Sequence, residues 1–239
     1  KLKQTVDSGL AGKVCFAQVN SLWWRAHCYY DLWWRGTWEK EGGGPTLNHA
    51  VHHIDMLNWI KGTLPDEVTA MLTNVMHDNS EVTSSVIHHG EEQGIVLQCA
   101  DAKISAPWDV KAEVGQANGF FRPGGNQELI DRLNAFYESL PDLKYEGHTG
   151  EIDDVLSALE EGRRPMITGE DGRKTVELIS AIYKAGCTRS IVSLPITKED
   201  DYYTFQGILK HAVHFHEKKA SVENFDEEGF SLGNYGEKK

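Results

Sequence analysis

The sequence predicts an α+β fold: a mainly antiparallel, open β-sheet with helices packed on one face. Two observations carry this. Strand-like runs at Glu67–Met76, Glu81–His88 and Gly94–Cys99 follow one another with only short Asn/Asp/Ser and Gly turns between them, which favours antiparallel neighbours over crossover connections. Helical periodicity then dominates from Asn126 onward, so the strands and most of the helices are segregated along the chain.

Taken in order, residues 1–10 are mixed and polar, with a possible helix. Gly12 to Asn20 alternates, with Val14, Phe16 and Gln18 on one side and Cys15, Ala17 and Val19 on the other, which reads as a strand. Ser21 to Tyr30 continues extended and aromatic. Pro45 starts a helix, its missing N–H costing nothing in a first turn, and Gly62 and Pro65 end it. After the strands, Trp108 to Val114 is a further strand candidate and Gly119 to Asn126 a Gly/Pro loop. Asn126 to Leu140 is a helix with Leu129, Leu133, Phe136 and Leu140 near one face. Gly150 to Gly162 is the next, with Ile152, Val155, Leu156 and Leu159 expected inward. Glu170 to Gly186 is the last, with Val176, Ile179 and Tyr183 on one side, before a short strand at Ser190–Leu194. Residues 1–203 read as one domain, and 204–239, polar and acidic towards the end, as an extension or arm.

Hydrophobic residues make up 40% of the chain and charged residues 25%, a globular balance. The net charge of −12 repels phosphate backbones and anionic lipid, so neither nucleic acid nor a membrane surface is an expected partner. No apolar run reaches membrane-spanning length. Cys15, Cys28, Cys99 and Cys187 are far apart and form no C-x-x-C pair, which points away from a disulfide framework and towards a reducing cytoplasm. The chain opens on Lys1 rather than Met, the expectation being a fragment, a processed product or a trimmed form.

The chemistry concentrates in Trp33-Trp34-Arg35-Gly36-Thr37-Trp38, then Gly42-Gly43-Gly44-Pro45, then Asn48-His49-Ala50-Val51-His52-His53-Ile54-Asp55. Three consecutive glycines let backbone pass close to something. On one continuous helix, Leu47, Val51, Ile54 and Leu57 would share an apolar side, with Asn48, His52, Asp55 and Trp59 on an adjacent polar stripe. An amide, an imidazole and a carboxylate so placed can converge on a small polar molecule, and histidine suits proton transfer near neutrality. A helical histidine beside an apolar stripe is equally what a packing residue looks like, and the aromatics around Arg25 and Arg35 equally what an interface looks like.

These residues carry a resemblance. Trp34-Arg35-Gly36-Thr37-Trp38, the triple glycine and Asn48-x-x-x-His52-x-x-Asp55 resemble the second domain of the Gfo/Idh/MocA family of NAD(P)-dependent sugar and polyol dehydrogenases. Asp7-Ser8-Gly9-x-x-Gly12-Lys13-Val14, Gly162-Arg163-Arg164-Pro165, Gly169-Glu170-Asp171-Gly172 and Leu194-Pro195 extend the likeness to about Tyr203. The resemblance implies His52 as the proton-transfer residue, with hydride passing to a nicotinamide. It implies Asn48 as a substrate contact, Arg35 and Tyr30 along the sugar side, and Asp55 either orienting His52 or facing the core. No G-x-G-x-x-G after a strand is present. NAD or NADP would therefore belong to a cofactor domain of the intact enzyme, and none is expected to bind this chain tightly. The expected ligand is a sugar or polyol, and the expected assembly a homo-dimer or tetramer through the open sheet face.

Two other classes compete. A free-standing domain of this type could be a non-catalytic, oligomeric sugar-binding or scaffold module. His49 and His53 have the i, i+4 spacing of a zinc-binding helix, which raises a metal-dependent enzyme. Against it, zincins carry a glutamate after the first histidine, where this chain has Ala50, and His49 and His53 would point away from the His52 stripe.

Overall fold

The computed structural model describes residues 1–84, 91–219 and 221–224. In chain order the elements are α1 (Leu2–Asp7), β1 (Val14–Leu22), a 3-10 helix (His27–Asp31), α2 (Trp38–Glu41), α3 (Pro45–Asn48), α4 (Ala50–Lys61), β2 (Glu67–Val68), β3 (Glu92–Cys99), β4 (Lys103–Ala106), β5 (Val110–Lys111), α5 (Gln127–Ser139), α6 (Gly147–Glu161), α7 (Gly169–Thr188), β6 (Val192–Ser193), a 3-10 turn (Asp201–Tyr203) and α8 (Phe205–His211). The chain divides into two compact units. The first takes Lys1–Ser21, Ala50–Asp66 and Glu92–Leu178, and the remaining described residues form the second.

The first unit is built on a four-stranded sheet in the order β1-β3-β4-β5. β4 pairs antiparallel with both neighbours, with Leu97 opposite Ile104 and Ile95 opposite Ala106 on one side, and Ile104 opposite Val110 on the other. Period-2 alternation sends Ile95, Leu97 and Ile104 to one face, where all three are buried. On them pack Leu2 and Val6 of α1, Leu57 and Ile60 of α4, and Leu129, Ile130 and Leu133 of α5, a single core covering one face of the sheet. On β1, Val14, Ala17 and Val19 join that core, while Phe16 is 60% exposed. The expected open antiparallel sheet with helices on one face is therefore observed.

α5 begins where the sequence says, with Asn126 as N-cap accepting a hydrogen bond from the Leu129 N–H at 3.3 Å. α6 ends at Gly162, which adopts φ 65° and returns its N–H to the Ala158 carbonyl. The face of α6 is a correction. Ile152, Val155, Leu156 and Leu159, expected inward, are 60%, 45%, 55% and 75% exposed, and Ala158 is the buried residue.

In the second unit, β2 and β6 form a short antiparallel pair, Glu67 opposite Ser193 and Val68 opposite Val192. Ala181 and Ala185 of α7 pack on it with Val192 and Ile196. Strand structure thus stops at Val68, where the sequence suggests a strand to Met76. Glu81–Ser84 is not a strand either, and the rest of the expected Glu81–His88 run lies outside the described residues. Instead Asn74 organises this segment. Its amide donates to the carbonyls of His77, Ser80 and Val82, and its carbonyl accepts from the N–H of Met76 and His77 and from the Ser84 hydroxyl. Residues 213–219, 221 and 222 lie in the same unit. Val222 exchanges backbone hydrogen bonds with Asp31 and Trp33, Phe215 N–H reaches the Glu81 carbonyl, and the Lys218 ammonium sits on the carbonyls of Tyr30 and Arg35. Among the described residues no helix is long and apolar enough to cross a membrane.

Candidate functional site

The aromatic and basic segment folds within the second unit around a buried ion pair. Arg35 donates to Glu41 at 2.7 Å, with side chains 17% and 3% exposed. The second Glu41 oxygen accepts the Gly36 N–H at 2.6 Å. The Arg35 guanidinium lies 3.7 Å from the Trp34 ring centroid and 4.4 Å from that of Tyr29, a stacking geometry open to a planar cation. Burial pushes the Tyr29 hydroxyl upward in pKa, and the nearby Arg35 charge partly offsets it. Arg35 is therefore held within the protein. Tyr30 is 2% exposed, its ring 4.3 Å from His77 and 5.3 Å from Tyr29. Neither residue forms a free wall. Glu41, which the sequence reading passed over, is the group that fixes this segment. Nothing in its local pattern sets it apart from Glu39.

The glycines behave as the sequence suggests, but what approaches them is protein. Gly43 has φ 122°, and a Cβ there would collide with the Tyr183 hydroxyl; Gly44 has φ 78°, and its Cβ would stand 2.7 Å from Val82. Tyr183 is 2% exposed and packs edge-on against Trp38 at 5.1 Å, whose indole N–H donates to the Val213 carbonyl. Burial raises the Tyr183 hydroxyl well above its ordinary pKa.

The helix expected to run unbroken from Pro45 is interrupted. α3 ends at Asn48, His49 adopts φ −125° and ψ −55°, and α4 starts at Ala50. The i, i+4 relation that a continuous helix would give Asn48 and His52 is thus lost. Asn48 closes one helix and His52 opens the next. In the second unit the Asn48 amide nitrogen is buried with no hydrogen-bond partner among the described residues, and His49 stacks on Trp23 at 5.1 Å.

In the first unit, His52 is exposed on the first turn of α4. Its neighbour His53 has its pKa lowered, first by burial and then by repulsion from His52. Among the described residues the side-chain hydrogen bond of Asp55 is not to His52. Asp55 accepts the Thr175 hydroxyl at 2.6 Å, and Thr175, 2% exposed, accepts the Asn58 amide at 3.4 Å. This bond links Asp55 of α4 to Thr175 of α7. Trp59 is 37% exposed with the Lys3 ammonium 5.7 Å above its ring. Among the described residues no three His, Cys, Asp or Glu side chains gather into a metal-binding group.

A dinucleotide needs open glycine backbone leading from a strand into a helix N-terminus. Here the glycine run follows α2, and Tyr183 and Val82 fill the space beside it. The glycine run therefore does not offer that cradle.

Residues 1–116 match the GFO/IDH/MocA C-terminal domain family. That match covers just under half of the chain. No curated protein matches it in sequence. Solved structures share its fold beyond the matched segment. WlbA dehydrogenase from Bordetella pertussis, solved with NADH and UDP-GlcNAcA, is 20% identical with a TM-score of 0.59, over 82% of this chain and 61% of that one. WlbA from Chromobacterium violaceum, solved with the same pair, is 22% identical with a TM-score of 0.60, over 82% and 59%. A levoglucosan dehydrogenase solved with NADH and levoglucosan is 18% identical with a TM-score of 0.58, over 81% and 62%. The chain spans about three fifths of the length of these solved structures. All five candidate positions, Tyr30, Arg35, Asn48, His52 and Asp55, lie inside the segment matched to the GFO/IDH/MocA C-terminal domain.

Proposed function

We propose that this chain is the substrate-binding part of a NAD(P)-dependent oxidoreductase acting on a sugar or polyol hydroxyl, with His52 as the proton-transfer residue. The observation that supports it is the GFO/IDH/MocA match spanning the glycine run and α4, with His52 exposed at the start of that helix. On this reading the cofactor is held elsewhere than at the glycine run, where Tyr183 and Val82 take the space. What this chain contributes is proton handling and substrate positioning. The neutral His52 imidazole accepts the proton of the reacting hydroxyl. Asn48, with a buried amide nitrogen that has no hydrogen-bond partner among the described residues, would donate to a substrate hydroxyl and recover a desolvation cost of about 1–3 kcal/mol. Glu41 and the Trp34 and Tyr29 rings hold Arg35, so Arg35 and Tyr30 shape the substrate side through packing. Self-association through the sheet face that bears Phe16 belongs to the same proposal.

The test is His52→Ala and His52→Gln in the complete gene product, with steady-state kinetics on sugars and polyols. A positioned general base contributes about 10²–10⁴-fold, so kcat should fall by that much while KM moves little. Activity retained within about tenfold would remove His52 from this role.

A further inference from the structure

Within the first unit, the end of α4 and the start of α7 line a cleft of about 450 Å³. That volume is inside the range of about 300–1,000 Å³ common for small-molecule sites. Part of the lining is apolar: Trp59, 37% exposed, Leu64, and Ile167, 42% exposed. Asp55, Asp171 and Lys174 supply polar groups beside it. Asp55 takes the Thr175 hydroxyl on Oδ1, and its Oδ2 has no hydrogen-bond partner among the described residues. Asp171 accepts the N–H and the hydroxyl of Thr168 on one oxygen, at 3.1 and 2.6 Å, and lies 3.3 Å from the Lys174 ammonium with the other. The Asp171 and Lys174 side chains are 40% and 50% exposed. Such a pair gains little from itself, so both groups stay open to a ligand hydroxyl. His52 stands on the first turn of α4, seven residues before Trp59, or about 10 Å along the helix axis. The cleft is thus set apart from the proton-transfer position.

We propose that this cleft is a second binding site, for a neutral ring polyol such as a monosaccharide or a cyclitol. It goes beyond the functional reading above and makes no use of His52. The charges in the lining select the class of ligand. An anion would face the carboxylates of Asp55 and Asp171, and the Thr168 N–H at the entry to α7 already donates to Asp171. An organic cation would meet Lys174, and the Trp59 ring already carries the Lys3 ammonium 5.7 Å from its centroid. A hydroxyl both donates and accepts. A polyol can therefore donate to Asp55 Oδ2 and to Asp171 and accept from Lys174, with no net charge of its own to strip of water. The Trp59 ring adds a flat apolar surface on which the C–H side of a six-membered ring can pack. Groups of both signs beside one aromatic ring match a neutral, hydroxyl-rich ring better than they match an ion of either sign.

The experiment is fluorine NMR of the full chain with its seven tryptophans replaced by fluorotryptophan. The Trp59 signal is the one missing from both Trp59→Phe and Trp59→Tyr. myo-Inositol, D-glucose, acetate and tetramethylammonium are titrated separately. The proposal expects the Trp59 signal to move saturably with myo-inositol or D-glucose, half-complete at about 1–10 mM, as for a small ligand in an open cleft. Lys174→Met, at a half-exposed position, should weaken that binding about fivefold or more while the remaining tryptophan signals keep their places. Ile167→Ala is a second variant with the same expectation. No saturable shift up to about 100 mM of either polyol would overturn the proposal. So would tighter binding of acetate or tetramethylammonium, or polyol binding that neither variant weakens. The readout follows Trp59 and needs no turnover, so failure of this site and failure of the His52 role give separate results.

Discussion

Neutralising Glu41 tests whether the Trp33–Trp38 segment is held by its ion pair. Glu41→Gln keeps the shape and one acceptor for the Gly36 N–H, but strips the counter-charge from Arg35, whose side chain is 17% exposed. Removing one partner of a buried pair costs about 3–5 kcal/mol because the other charge stays behind uncompensated. Two features lower that figure here. Arg35 keeps some access to water, and its guanidinium rests on the Trp34 and Tyr29 rings, contacts worth about 0.5–2 kcal/mol that survive the substitution. The expected loss is therefore about 2–4 kcal/mol, a large share of a typical stability of 5–15 kcal/mol. Urea unfolding followed by tryptophan fluorescence suits the measurement, since Trp33, Trp34 and Trp38 lie in the affected segment, and an unchanged slope would show that the same transition is being compared. Glu39→Gln is the internal control: its pair with Lys40 is 46% and 69% exposed and should cost no more than about 1 kcal/mol. Arg35→Met with Glu41→Gln should recover most of the loss, since an apolar replacement of a whole buried pair is often neutral. If Glu41→Gln costs less than about 1 kcal/mol, or the double variant is no better than the single one, the pair does not anchor the segment.

Two pH effects follow from the same contacts. Hydrogen bonds from the Met166 N–H and Arg163 hold the Asp154 carboxyl below the ordinary carboxylate range. A depressed folded-state pKa means stability that is present above the unfolded value near 3.9 and lost as pH falls through the folded one. Acid unfolding of Asp154→Asn should accordingly be less steep than that of the wild type below about pH 4. His53, depressed by burial and by His52, should titrate below the ordinary value of about 6.5 in NMR. In His52→Gln it should move upward; a His53 titration unaffected by that change would show that burial alone sets it.

What was legible in the sequence, and what was not, divides along a physical line. The start of α5 at Asn126 and the end of α6 at Gly162 were readable because a cap is a local event, settled by one side chain or one left-handed glycine. The glycine run was readable as a place of close approach, but not as an approach to Tyr183 and Val82, which no local pattern connects to it. Arg35 was readable as a cation among aromatics. That Glu41 would claim it, rather than a substrate, depends on how α2 folds back beneath Gly36. The strand run from Glu67 had suitable β-propensity to Met76, yet only Glu67 and Val68 pair with β6, and Asn74 draws the rest into a loop of its own. His49 carries no helix-breaking signature, and the interruption there is set by the fold rather than by propensity. α6 gives the sharpest case. Its periodicity fixes which residues share a face, and that part was correct. Periodicity does not say whether the face looks inward, because an apolar stripe is satisfied equally by its own core and by a neighbour's. Asp154, on the other side of the helix, bonds to Met166 and Arg163 in the loop that follows it, and Ala158 is the residue of α6 that is buried.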